Sequence, residues 1–285
     1  MSVYAAICTD IAPLYSAPQK GVCIDEALCG MTVERLETAC GFVKIRTHYR
    51  YEGWTPELCL CGVCSPDAPL SDGADGGGAW CPNRVVLAPY LDVLDAPKVQ
   101  GVQLQGVPRG GLLCAQGVPD ADLWQCVRLA DGRRGYTKAT CLQAPAQGID
   151  PSAMTAQQQG AFRTALCETA LRYLGTQYRW GGKTPLGIDC SGLTSMTYLL
   201  NGLVIYRDAS IEQGFPVRKI TFAQAQRGDL LYFPGHIALY LGDKRFVHAT
   251  AHPGSEGVVQ SSLDEAHDGF RPDLLRTLCC AGTVF

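Results

Sequence analysis

No run in this chain approaches the roughly 20 apolar residues that a membrane-crossing helix needs. Its start, MSVYAAICTDIAPLYSAP, lacks the basic segment of a secretory signal, and Asp10 interrupts the apolar stretch, so it reads as a first strand. Charge is scarce too. Charged residues make up 18% with a net charge of −3, which leaves no electrostatic case for nucleic acid or an anionic membrane as partner. Helical patterning is missing from residues 1 to about 65, where short β-like runs are broken by Pro and Gly. What is plentiful is apolar character, 47% over 285 residues, enough for a core and for more than one domain. The 15 cysteines are an odd number in a chain too long for a small disulfide scaffold. Reduced thiols are the simpler reading, and the expectation is a cytoplasmic monomer.

The first half repeats itself. GWTPELCL at 53–60 matches GYTKATCL at 135–142, VKIRT at 43–47 matches CVRLA at 126–130, and PLYSAP at 13–18 matches DVLDAP at 92–97. Two copies of a unit of about 60 residues, all strands and turns, predict two small β-barrels at residues 1–66 and 80–145. SPDAPLSDGADGGGA, at 65–79, is a polar Gly-rich connection between them, and residues 143–155 form a second linker. A helix follows, with Phe162, Ala165, Leu166, Thr169, Ala170 and Tyr173 at helical spacing up to Gly175.

The stretch QYRWGGKTPLGIDCSGLTSMTY, residues 177–198, carries the chemistry. Leu193, Met196, Thr197 and Leu200 fall on one helical face, Asn201-Gly202 stops the helix, and Asp189 is placed to cap it. Cys190 then sits in the first turn, where unpaired N–H groups and the helix dipole favour thiolate over thiol. Such a cysteine needs a base to be a nucleophile.

The segment RGDLLYFPGHIALYLGDKRFVHAT, residues 227–250, supplies one. It reads as a strand, a Pro-Gly break and a half-buried hairpin, with His236 and His248 at alternating positions of its two strands. Pairing centred on Gly242 sets the two histidines directly opposite, about 5 Å apart at Cβ. A plain two-residue Gly242-Asp243 turn would put them on opposite faces, so an odd-length loop or a bulge is expected between Leu241 and Arg245. His236 would take the proton of Cys190, and His248 would hold the other ring nitrogen of His236. Elsewhere, Cys59, Cys61, Cys64 and Cys81 could offer thiolates to zinc. The match of Cys59 to Cys141 in the repeat favours a strand-core position instead, so no metal or cofactor is expected.

YRWGG…DCSGL, followed by GDLLYF…HIALYLG and FVHAT, resembles the NlpC-type family of cell-wall cysteine peptidases over roughly residues 155–280. The resemblance implies an α+β chain: a papain-like catalytic domain at 155–285, helices on an antiparallel sheet, behind two bacterial SH3-like barrels. It implies Cys190 as nucleophile, His236 as base, His248 as third polar residue, and the Tyr178 phenol as an oxyanion donor. Trp180 would wall the cleft. Members with two such barrels are γ-D-glutamyl-L-diamino-acid peptidases, which release L-Ala-γ-D-Glu from peptidoglycan stem peptides bearing a free N-terminal L-Ala. The resemblance carries substrate contacts to Asp189, Ser191, Ser210 and Tyr51. The glutamate that family members hold early in the first barrel falls near Val22, with Asp25 or Glu26 as its replacement. An amidase or acyltransferase on the same dyad, or a wall-binding protein without activity, are the alternative readings.

Overall fold

The computed structural model describes residues 3–19, 21–62, 80–146 and 148–285. They form two compact units, Met1–Pro145 and Ala146–Phe285. The 65–79 connection and Cys64 lie outside the described residues.

The first unit holds two sheets of seven strands. One comprises β1 (Tyr4–Ile7), β2 (Ile11–Tyr15), β3 (Cys23–Leu28), β4 (Thr32–Ala39), β5 (Phe42–Thr47), β6 (Glu52–Pro56) and β7 (Leu60–Gly62). The other comprises β8 (Arg84–Val86), β9 (Tyr90–Leu94), β10 (Gln103–Pro108), β11 (Leu112–Gln116), β12 (Trp124–Arg128), β13 (Arg134–Lys138) and β14 (Leu142–Gln143). Their orders are β3-β2-β6-β5-β4-β1-β7 and β10-β9-β13-β12-β11-β8-β14. Strand for strand these are one topology, so the sequence repeat is a structural one. Each copy also has a 3-10 turn before its last strand, Glu57–Cys59 and Ala139–Cys141.

Two expectations need correction. Lys44 pairs with Trp54 and Cys126 with Tyr136, so VKIRT corresponds to residues 125–129, one residue earlier than the sequence match. The sheets are also open rather than closed barrels. Among the described residues β3 does not pair with β7, nor β10 with β14. In the second copy the final strand, β14, has two residues, too few to carry the ladder round.

The copies share packing. Cys29 of the first joins Val86, Val93, Val107, Leu113 and Val127 of the second in one buried cluster. Trp80 Nε1 donates to Gly30 O at 2.8 Å, and Leu112 N donates to Cys29 O at 2.8 Å. Gly30 has φ +79°, and a Cβ there would lie 2.1 Å from Leu112 O, so only glycine fits this junction.

The second unit begins with α1 (Ala156–Leu171). Thr155 and Gln158 form a capping box at its start. Next come a two-stranded ribbon, β15 (Lys183–Thr184) and β16 (Gly187–Ile188), and α2 (Cys190–Leu200). An antiparallel sheet follows in the order β17-β22-β18-β19-β20-β21, built from β17 (Arg218–Ile220), β18 (Leu230–Phe233), β19 (His236–Gly242), β20 (Arg245–Thr250), β21 (Gly257–Ser262) and β22 (Cys280–Thr283). The short α3 (Pro272–Thr277) precedes β22. Helix α2 packs on β19 and β20. Every β20 residue after Arg245 is buried, so the sheet is covered on both faces and the hairpin is more than half-buried.

A buried ion pair ties α1 to this sheet. Arg163 Nη1 reaches Asp229 Oδ1 at 2.8 Å and Arg227 O at 2.9 Å, and its guanidinium lies 4.2 Å from the Phe285 ring. Removing one partner strands a buried charge. Asp229→Ala is expected to lower unfolding stability by about 3–5 kcal/mol, measured by urea denaturation of the full chain.

Candidate active site

Asp189 is extended (ψ 178°) and turns the chain from β16 into α2. Its Oδ1 accepts from Gly192 N at 2.6 Å, which makes it the N-cap, and its Oδ2 accepts from Gly181 N at 2.8 Å. The loop after Trp180 is thereby fastened to the start of the helix. Gly192 is required there, since a Cβ would meet Gly182 O at 2.1 Å. Beneath them lies Arg207, which is 1% exposed. Its Nη1 donates to Ser191 Oγ at 2.7 Å and Asp189 Oδ1 at 3.1 Å, and its Nη2 reaches Gly181 O at 3.2 Å. Asp189, Ser191 and the glycine loop are therefore held by one buried guanidinium. Cys190 sits between two of these residues and is itself buried.

The histidines come together as expected, by a different register. Tyr240 pairs with Phe246 and Leu239 with Val247, so the hairpin is centred one residue later than Gly242. Asp243 and Lys244 form its turn, both with positive φ (50° and 58°), and the expected bulge lies between Tyr240 and Gly242. His248 falls diagonal to His236 rather than directly across. Long side chains span that diagonal. His236 Nε2 lies 2.7 Å from His248 Nδ1, and His248 Nε2 lies 3.1 Å from Ser261 Oγ.

The electrostatics correct the expectation of a resting thiolate. Burial pushes the Cys190 thiol up to about 11, with the Asp189 charge adding to it, against the backbone N–H groups of Ile237 and Ser191 and the charge of Arg207. At this helix start the loss of water outweighs the dipole. Burial likewise lowers His236 to about 4, helped by Arg271 and opposed by Asp273, and depresses His248 further. Both shifts run towards the uncharged forms, thiol over thiolate and imidazole over imidazolium. The Ile237 N–H places the sulfur beside the residue that follows His236.

Tyr178 lies near this sulfur. Burial first, and then the charges of Cys190 and Asp189, push its phenol up to about 12, so it stays a neutral donor. Trp180 is 65% exposed, which rules out ordinary core packing for it. Ser210 is exposed in the loop after Arg207, its N–H bonded to Asp208 O at 2.8 Å. Tyr51 belongs to the first unit, at the β5–β6 turn, where its N–H donates to Thr47 Oγ1 at 3.1 Å. In that unit Asp25 and Glu26 are buried and Val22 is exposed, and Tyr49 donates to Asp25 Oδ2 at 2.6 Å. Cys59 is buried and Cys61 Sγ lies 3.5 Å from Ala6 O. Among the described residues no group of three His, Cys, Asp or Glu side chains is arranged for a metal ion.

Arg207 and Ser261 were not singled out from the sequence. Arg207 opens the RDASIEQ segment, but nothing in a loop arginine's neighbours announces burial. Ser261 becomes visible only once β21 is registered against β20.

A sequence profile described as the NlpC/P60 family matches residues 175–270. Dipeptidyl-peptidase 6 of Lysinibacillus sphaericus is 40% identical over 291 aligned residues, covering 99% of each chain. The chain belongs to the NlpC/P60 family. It is accordingly a hydrolase. The murein DD-endopeptidase MepS/murein LD-carboxypeptidase of Escherichia coli is 35% identical over 99 residues, 33% of this chain and 50% of that protein. The crystal structure of an NlpC/P60 family protein from Bacillus cereus superposes with a TM-score of 0.74 at 19% identity, covering 98% of both chains. The fold is therefore shared along the whole NlpC/P60 chain, β modules included. The profile match spans Tyr178, Cys190, His236, His248 and Ser261.

The depressed histidines set an acid limit for this NlpC/P60 chain. Because His236 falls from 6.5 to about 4 on folding, the unfolded chain binds more protons between those values. Stability is expected to be level above pH 6.5 and to fall as pH drops from there towards 4. Urea midpoints measured across that range check this, and His236→Asn should flatten the slope.

Proposed function

We propose that this cell-wall peptidase is a dipeptidyl-peptidase. It hydrolyses the γ-D-Glu–L-diamino acid bond of peptidoglycan stem peptides with a free N-terminal L-Ala and releases L-Ala-γ-D-Glu. The observation that carries the chemistry is the His236–His248 contact of 2.7 Å beside the start of the Cys190 helix. The dipeptidyl specificity is supported by likeness to a dipeptidyl-peptidase along the whole chain rather than the catalytic segment alone.

The geometry supports the following roles. His236 Nε2 is engaged by His248, which leaves Nδ1 to take the Cys190 proton. As the sulfur attacks the γ-carbonyl carbon, its proton passes to His236, and the C=O bond opens to an oxyanion. The backbone N–H of Cys190 and the Tyr178 phenol stabilise that oxygen. Collapse breaks the C–N bond, the amine of the diamino acid leaves with the proton from His236, and water then hydrolyses the thioester. Starting from neutral partners suits this site, since charge develops only when substrate has displaced water. Asp189, Ser191 and Ser210 would meet the substrate's amino end, with Trp180 along the cleft. A carboxylate that pairs with a free ammonium excludes blocked, intact wall. The two β modules at 1–66 and 80–145 are assigned as SH3-like domains ahead of a catalytic domain at 155–285. Their identical strand order supports that division.

L-Ala-γ-D-Glu-diaminopimelate and its N-acetylated form, each incubated with wild type and with Cys190→Ala, provide the test. Mass spectrometry is expected to find L-Ala-γ-D-Glu only from the free peptide and only with wild type. Equal cleavage of both peptides would overturn the dipeptidyl assignment, and cleavage by Cys190→Ala would overturn the nucleophile.

A further inference from the structure

His248 has a second neighbour besides His236. Three adjacent strands each contribute one polar side chain: His236 from β19, His248 from β20 and Ser261 from β21. Phe246 pairs with Ser261 and Val259 with His248, so Ser261 is diagonal to His248 just as His248 is diagonal to His236. The contacts are 2.7 Å and 3.1 Å, and both His248 and Ser261 are buried.

We propose that Ser261 is a positioning residue that fixes the tautomer of His248 and, through it, the tautomer of His236 that can accept a proton from Cys190. This rests on the peptidase roles given above. A base must present a bare nitrogen, and the one left to His236 is Nδ1. Its proton then sits on Nε2 and is donated to His248 Nδ1, which has to be bare in turn. His248 is neutral, so its own proton lies on Nε2. That N–H needs an acceptor in a buried site, and the Ser261 hydroxyl oxygen is placed 3.1 Å away to be it. Without Ser261 the buried N–H of His248 loses its partner. The ring then gains by moving its proton to Nδ1, where it faces Nε2–H of His236 and forces that proton towards Nδ1. In that arrangement His236 cannot act as base.

Histidine ¹⁵N signals of the resting full-length protein and steady-state kinetics on the free tripeptide test this together. Wild type is expected to carry the His248 proton on Nε2. Ser261→Ala is expected to mix the tautomers of both rings and to lower kcat about 10-fold, with KM changed less than about twofold. Ser261→Thr keeps a hydroxyl and is expected to restore both readouts. A wild-type His248 protonated on Nδ1 overturns the proposal without any variant. So does an unchanged kcat in Ser261→Ala, or equal losses in Ala and Thr variants that track a fall in melting temperature. If wild type fails to cleave the tripeptide, the functional assignment fails, while the tautomer measurement still decides the part played by Ser261.

Discussion

One buried cation organises the start of the Cys190 helix. Arg207 is almost wholly shielded from water, and its guanidinium divides itself among the Asp189 carboxylate, the Ser191 hydroxyl and the carbonyls of the glycine loop. Asp189 in turn holds Gly192 N and Gly181 N. Burying an anion as an N-cap is unfavourable unless it is paired, and Arg207 supplies the pairing charge here. The planar fork of arginine can satisfy a carboxylate and a hydroxyl at once, whereas a lysine offers only a point charge. The position of the sulfur is therefore set from below, by a residue distant in sequence, as much as by the helix that carries it.

Much of this was legible in the residues. Asp189 before Cys190, the helical face beyond it and the Asn201-Gly202 stop are local signals, and local signals survive folding. The internal repeat was legible because two copies cross-check each other, although a one-residue shift between VKIRT and its counterpart escaped detection. The hairpin was legible in its alternation but not in its centre. Asp243 and Lys244 both take left-handed conformations that a turn at Gly242 would not have needed. The bulge restored the shared face, so the pairing of the imidazoles survived an incorrect register. Closure of the β modules was not legible, since it depends on whether β7 and β14 run long enough to meet a strand far away in sequence. Arg207 and Ser261 depend on tertiary burial and strand register, and neither leaves a mark in the sequence around it.

The charge state of the sulfur shows two physical effects in competition. A helix N-terminus contributes partial charges worth about 0.3–1 kcal/mol at an exposed surface. Burial acts in the opposite sense, and the neighbouring Asp189 carboxylate reinforces it. The backbone N–H groups of Ser191 and Ile237 remain aimed at the sulfur, so they matter most when negative charge arrives there. A site of this kind keeps its thiol protonated until a reaction draws the proton away.

That logic also explains why the third residue suits the site as an imidazole. A carboxylate at position 248 would raise the affinity of His236 for protons, and within a buried sheet it would need a cation of its own. His248 can accept from His236 and donate to Ser261 without any charge being buried. Nearby, Arg271 and Asp273 already form a close pair at 2.6 Å, and their combined influence on His236 runs towards deprotonation. Lost water first, and then the Arg271 charge, favour the bare form of His236. Its direction is set by a hydrogen-bonded row that crosses three strands. A row of this kind depends on every member presenting the right atom, and its last hydroxyl is held from both sides: β20 pairs with β21 on one, and Gly269 and Arg271 bond the backbone of Ser262 on the other.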